Sequence, residues 1–241
     1  MIDSIVLVIV SVLAGGVACI SGFGIGSLLT PLFAAKVGTG VAVAGISIVH
    51  FLGTALRFWI WRKYINRKIL LSFGITSAIG GLIGAIFHNI FANVILTIIF
   101  GCLLIFAGLS GLTGISDKWR FHGAVAWIAG ALSGIFGGLV GNQGGIRSAA
   151  MLGFDLKGKE FVATATGIAL AVDLARMPVY FVTQAQDIQS IWFMILISSI
   201  GVLIGTEIGV RVQQKIPERL FKKIVCGIIL IIGICVLINP Y

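Results

Sequence analysis

Gly137-Gly138-Leu139-Val140-Gly141-Asn142-Gln143-Gly144-Gly145-Ile146-Arg147-Ser148 is rich in glycine, polar at its centre and carries an arginine, yet long apolar runs enclose it on both sides. A backbone that breaks inside a membrane exposes N–H and C=O groups that lipid cannot satisfy. Such breaks survive only where protein or a water-filled cavity surrounds them. The stretch therefore predicts a broken spanning element. With a partner near the N-terminus, it predicts an anion site at membrane mid-depth.

Working outward, the rest of the chain fits a membrane setting. Of its 241 residues 59% are hydrophobic and only 10% charged, and the mean hydropathy is +1.13. A soluble domain exposes far more charge, so this is the composition of a polytopic membrane protein. The net charge of +9 would suggest nucleic acid in a soluble protein; here the placement of the charges matters more than their sum, and no nucleic-acid partner is expected. Met1-Ile2-Asp3-Ser4 lacks a basic n-region and no clear cleavage site follows the first apolar run, so no signal peptide is expected. Cys19, Cys102, Cys226 and Cys235 lie in apolar segments without metal-type spacing. They read as buried thiols, with no disulfide framework, and no metal or cofactor is expected.

Apolar runs cover 5–20, ending at Ser21-Gly22-Phe23-Gly24-Ile25-Gly26-Ser27, and 28–37. Helix-length apolar spans follow at 41–61, 69–87, 93–113, 123–140, 161–183, 190–210 and 220–238, with a short arm at 146–154. Placing the loops at 62–68, 118–120, 157–159 and 211–223 inside puts thirteen of the seventeen basic residues there. Lys36 falls outside, and Arg57, Arg147 and Arg176 lie within membrane segments. This one-sidedness fixes the orientation by the positive-inside rule. Residues 121–156 then begin and end inside, so they cannot be one span. A re-entrant hairpin with its tip at Gly141–Gly145 resolves the parity, and the first 37 residues read as its counterpart entering from outside.

An internal repeat agrees. Residues 77–84 read SAIGGLIG and 198–205 read SSIGVLIG, six of eight positions matching at an offset of 121. An offset of 119 pairs Gly22 with Gly141, Gly26 with Gly145 and Arg57 with Arg176, and GCLLIFAG (101–108) resembles GIILIIG (227–233). The loop at 62–68 is basic, whereas its equivalent at 184–189 has no basic residue, so equivalent loops lie on opposite faces. That is the signature of an inverted repeat. The expected fold is an all-α polytopic membrane protein of two inverted-topology repeats, each a broken or re-entrant helical hairpin plus three transmembrane helices. Residues 1–113 form the first, 114–122 a cytoplasmic linker, and 123–241 the second.

These motifs, SGFGIGSLLTPLF (21–33) with Pro31, GGLVGNQGGIRSAAMLGF (137–154) and KEFVATATGIALAVDLARMPVYF (159–181), resemble those of the sulfite exporter TauE/SafE family, part of the toluene-sulfonate uptake permease superfamily. The likeness covers nearly the whole chain. It implies a plasma-membrane, multi-pass transporter of sulfite, sulfonates or related sulfur anions. The chain departs from the family in having Ala150 where a proline is usual, and Asn142-Gln143 and Arg147 where many members have only glycine and apolar residues.

The chemistry of the breaks suits an anion. A half-helix starting near Gly144 points unpaired N–H groups and a positive dipole end at the break, and glycines at Gly141, Gly144 and Gly145 let an anion approach the backbone. Asn142 and Gln143 offer amide donors, and Arg147 a guanidinium fork. The bland alternative is that the glycines only permit close helix packing, but packing does not require Asn, Gln and Arg together. Gly22, Gly24, Gly26 and Ser27 are the equivalent candidates at the first tip. Arg57 and Arg176 join them because charge at mid-membrane is costly. Arg176 has Asp173 three residues earlier on the same face, which also fits a neutralised structural pair. Arg57 sits five residues from Arg62, which also fits snorkelling toward the inner face. His50 and Asp173 are candidates for proton coupling, although a packing histidine explains His50 as simply. Glu207 and Arg211 read as a structural i, i+4 bridge, Pro178 as a kink, and Trp59, Trp61, Trp119, Trp127 and Trp192 as an interfacial belt.

The expectation is a secondary transporter that exports a small sulfur-containing anion from a site between two glycine-rich tips. Its partners are that anion and the lipid bilayer, and a homodimer is an admissible assembly. An anion channel, or a carrier for a non-sulfur organic anion, is the alternative. No GxxxxGK stretch is present to couple transport to a nucleotide. HExxH, GxSxG and paired intramembrane carboxylates are also missing, so no catalytic residues are expected and an enzyme is disfavoured.

Overall fold

The computed structural model describes residues 2–88, 90, 94–115, 124–141, 144, 147, 151, 154, 156, 158–212 and 218–238. In these the chain is all-α. In order the helices are α1 (Ile2–Ser21), α2 (Ile25–Val37), α3 (Thr39–Trp61), α4 (Arg67–His88), α5 (Val94–Thr113), α6 (Ala124–Val140), α7 (Gly158–Thr183), the short α8 (Ala185–Ser190), α9 (Trp192–Val212) and α10 (Glu218–Ile238). Each long helix lies within a few residues of an apolar run, because in lipid a backbone satisfies its polar groups only within itself. Among the described residues four segments, Thr39–Tyr64, Arg67–His88, Lys159–Thr183 and Trp192–Val212, are long and apolar enough to cross a membrane. Large apolar side chains such as Ile5, Leu71, Ile79, Ile128, Leu174 and Ile231 are exposed on the outer surface, as lipid-facing positions are. The chain is a helical membrane protein.

Glycine sets how the helices pair. α4 packs along α6, and α1 along α9. A Cβ at Gly80 or Gly84 would fall on the carbonyl of Ala131 or Ile135, and one at Gly134 or Gly138 on that of Ser77 or Gly81. In the other pair, a Cβ at Gly15 would strike Val202 O and one at Gly205 Val12 O. Backbones meet here without side chains between them, the small-residue packing of membrane helices. In both pairs the contacts rise together in residue number, so both pairs run parallel. The glycines of SAIGGLIG and SSIGVLIG are thus crossing points.

Two turns interrupt α1–α2 and the end of α6. Gly22 has φ 78°, Gly24 φ 141° and Gly141 φ 70°. These backbone conformations penalise any side chain, which is why glycine stands there. Gly22 N donates to Ala18 O at 3.1 Å, and Gly141 N to Gly137 O at 3.1 Å, the single-bond glycine ending of a helix. Beyond Gly141, the described residues Gly144, Arg147 and Met151 have helical backbone. α7 continues through Pro178 to Thr183.

Some sequence expectations are corrected. Cys19 and Cys226 are buried, but Cys102 and Cys235 are exposed; an apolar segment in a membrane protein has a lipid face as well as a core. Trp59, Trp127 and Trp192 are exposed, whereas Trp61 is buried at 6% exposure with its ring against Tyr64 and Lys159. Trp119 lies outside the described residues. The loop expected at 184–189 contains most of the short helix α8. Glu207 and Arg211 form the expected exposed bridge at 3.0 Å.

Candidate functional site

Three arginines sit deep in the fold. Arg57 of α3, Arg147 beyond the α6 break and Arg176 of α7 are each 1% exposed. Arg57 therefore does not snorkel; α3 is too enclosed at that turn for its side chain to reach the surface. Asp173 of α7 is fully buried and His50 of α3 nearly so. Among the described residues, three buried guanidiniums thus face one buried carboxylate, which leaves two positive charges uncompensated while His50 is neutral. Arg57, Asp173 and Arg176 are the electrostatic neighbours of Arg147.

The carboxylate is spent on Arg176 and His50. Arg176 donates from Nε at 3.0 Å and from NH2 at 2.8 Å to Asp173 Oδ1. The other oxygen, Oδ2, lies 2.6 Å from His50 Nδ1. Thr54, one turn beyond His50, accepts from Arg57 NH2 at 3.1 Å. Helical spacing explains both groups: His50, Thr54 and Arg57 share one face of α3, and Asp173, Arg176 and Tyr180 one face of α7. Thr54 and Tyr180 escaped the sequence reading, although these i, i+3, i+4 and i+7 spacings around named candidates were visible.

The same face of α7 caps α6. A helix leaves its last carbonyls short of backbone donors, and side chains reach three in a row here, Gly137 O in addition to its bond from Gly141 N. Arg176 NH1 donates to Gly137 O and the Tyr180 hydroxyl to Gly138 O. His88 of α4 lies with Nδ1 2.9 Å from Leu139 O and Nε2 3.1 Å from Gly40 O, its ring edge-on to Tyr180. Cationic and hydrogen-bonding groups at a helix C-terminus also suit its dipole.

The two breaks meet. Arg147 NH2 donates to Gly22 O at 3.1 Å, a Cβ on Gly144 would strike Phe23, and one on Gly141 would touch Val43 and Thr30. Gly24, Gly26 and Ser27 are buried at the start of α2, which opens at Gly24 without a side-chain cap. Asn142, Gln143 and Gly145 lie outside the described residues. Among the described residues, several polar atoms at the junction lack partners. Arg57 Nε and NH1 and Arg147 Nε and NH1 are buried without a hydrogen-bond partner, as is Thr30 Oγ1. Buried polar atoms are nearly always paired, and an unpaired buried charge costs several kcal/mol. Four guanidinium nitrogens in this condition concentrate buried positive charge at the meeting of the two breaks.

Fold and site together define an all-α polytopic membrane protein with an internal cationic site at the meeting of two helix breaks. The sulfite exporter TauE/SafE family model matches residues 7–236, and the chain belongs to that family. Its members are membrane transporters of sulfite and related anions. No curated protein and no solved structure matches the chain.

Proposed function

We propose that the protein is a secondary transporter that exports a small sulfur-containing anion across the plasma membrane, holding it between the two glycine breaks with Arg57 and Arg147. The observation that carries this is the set of four partnerless guanidinium nitrogens on those two residues. Arg176 plays a different part, since Asp173 neutralises it and its remaining fork caps α6. The anion supplies the negative charge and oxygen acceptors that the fold withholds, and charge-assisted bonds to it are the strong kind. The start of α2, which has no side-chain cap, adds a positive dipole end.

In this reading the chain is two inverted repeats, 1–113 and 123–241, with the basic loops inside. Supporting it, α1 and α6 occupy corresponding positions, each parallel to a long helix of the other half, and each ends in a glycine turn of the same kind. The His50–Asp173 pair is the proposed proton-coupling element.

The test is a thermal-shift screen of the purified full-length protein with sulfite, sulfate, thiosulfate, sulfonates and carboxylates. A ligand of the folded state at a hundred times its Kd stabilises by about 2.7 kcal/mol. Sulfur oxyanions should raise the melting temperature and carboxylates should not. No shift with any sulfur anion would remove the proposal.

A further inference from the structure

The two breaks share a glycine turn but have unequal caps. A shift of 119 positions carries Ala18 onto Gly137, Cys19 onto Gly138, Gly22 onto Gly141, Arg57 onto Arg176 and Trp61 onto Tyr180. The turn bonds correspond at 3.1 Å each, and both glycines have positive φ. In the second half Arg176 and Tyr180 then cap Gly137 O and Gly138 O. In the first half the counterpart donors, Arg57 NH1 and Trp61 Nε1, are buried and have no partner. The aromatic contacts of Trp61, with Tyr64 and Lys159, engage its ring and leave the indole N–H unused. Arg57 is already an electrostatic neighbour of Cys19.

A buried indole N–H with no acceptor forfeits its hydration and gains nothing in return. Tyrosine and tryptophan in such positions ordinarily reach a partner. An inverted repeat supplies one: when the halves exchange conformations, the access of the site reverses, and the first half acquires the contacts the second now has. We infer that Trp61 is a positioning residue for transport, its indole N–H capping Cys19 O in the opposite access state as the Tyr180 hydroxyl caps Gly138 O in this one. Each aromatic holds one state. Arg57 moves with Trp61, its NH1 turning to Ala18 O, as Arg176 does at Gly137 O here. The inference rests on the carrier reading, though not on the identity of the anion.

Three conservative variants test it in the full-length protein in lipid nanodiscs, without anion. Trp61→Phe keeps a ring and loses the donor, and Tyr180→Phe does the same in the other half. Hydrogen exchange is read at the amides of residues 18–26 and 137–141. Tyr180→Phe should speed exchange at 137–141 and slow it at 18–26, by about fivefold for one net hydrogen bond; Trp61→Phe should do the reverse. Trp61→Tyr, which restores a donor, should return toward wild type. Faster exchange at both breaks in both variants, or no response to Trp61→Phe, would overturn the role of Trp61. If Trp61→Phe does not fold, slowed exchange at 18–26 in Tyr180→Phe still supports the exchange of caps, and unslowed exchange there overturns it. Wild-type protein that binds a sulfur anion without changing exchange at either break would instead count against the carrier reading.

Discussion

Arg57 and Arg176 each bond the side chain three residues earlier on their own helix, but Arg57 finds the hydroxyl of Thr54 and Arg176 the carboxylate of Asp173. One difference in sequence thus divides a matched pair into a charge left open and a charge closed. Thr54→Asp should close the open one. The new carboxylate neutralises Arg57 without removing it, and anion affinity should fall about tenfold or more, the worth of a charged hydrogen bond. Arg176→Gln should act on the fold instead. It leaves the Asp173 carboxylate with His50 alone and takes one of two donors from Gly137 O, at a cost of about 3–5 kcal/mol. Anion titrations and melting curves of the two variants separate these effects; an unchanged affinity in Thr54→Asp would take Arg57 out of the site.

Among the described residues Arg147 has no carboxylate partner and donates to Gly22 O. Arg147→Ala should abolish anion-induced stabilisation while the protein stays folded and inserted. The lost hydrogen bond, about 1.5–3 kcal/mol for a charged donor, is offset by relief of a buried uncompensated charge. Unchanged affinity for sulfite and organosulfonates in the purified variant would remove Arg147 from the site.

The glycine crossings give a prediction independent of any ligand. Gly84→Ala and Gly205→Ala each place a methyl on a neighbouring backbone carbonyl, and each should destabilise by about 1–3 kcal/mol, the usual cost of overpacking. Gly227 has open space around its would-be Cβ. Gly227→Ala in α10 should be neutral or stabilise by up to about 1 kcal/mol through helix propensity. Chemical denaturation of the three variants in detergent checks the ranking, and equal effects would mean that the α4–α6 and α1–α9 crossings are looser than they look.

Much of this architecture was legible in the chain because lipid leaves few choices. An apolar run about 20 residues long becomes a helix, and the glycine-rich stretches at 22–24 and 141 become breaks, since little else can bear a positive φ. The site was half legible. The arginines were visible as charges where charge is expensive, and the Asp173–Arg176 pair as a spacing. Thr54 was not, because a Ser or Thr hydroxyl in a membrane helix usually bonds its own backbone, as Ser11 and Ser199 do here, and Tyr180 was not, because its acceptor is a carbonyl 42 residues away on another helix. Trp61 was hidden differently: its sequence neighbours place it at an interface, and only the fold shows it enclosed. For Arg57, the nearness of Arg62 suggested an exit that the packing of α3 closes.

The last prediction concerns the proton. His50 Nδ1 and Asp173 Oδ2 stand 2.6 Å apart, and at that distance one of them must carry a hydrogen between them. His50 is also the more accessible partner, its side chain 8% exposed against 0% for Asp173, so the imidazole is the expected route of a proton to the carboxylate. The charged groups facing His50 are Asp173 and Arg176 from α7 and Arg57 from its own helix. With the site empty, a second proton on His50 adds to an excess of positive charge; with an anion bound, that excess is balanced and the proton is easier to hold. Linkage is reciprocal, so the anion should bind more tightly as pH falls through the titration of His50, and binding should take up protons. A sulfonate keeps its own charge across this range and makes the cleaner ligand. His50→Gln should retain a hydrogen-bonding partner for Asp173 and flatten the pH profile of the dissociation constant. A wild-type affinity that is level, or that improves as pH rises, would exclude His50 and Asp173 from coupling.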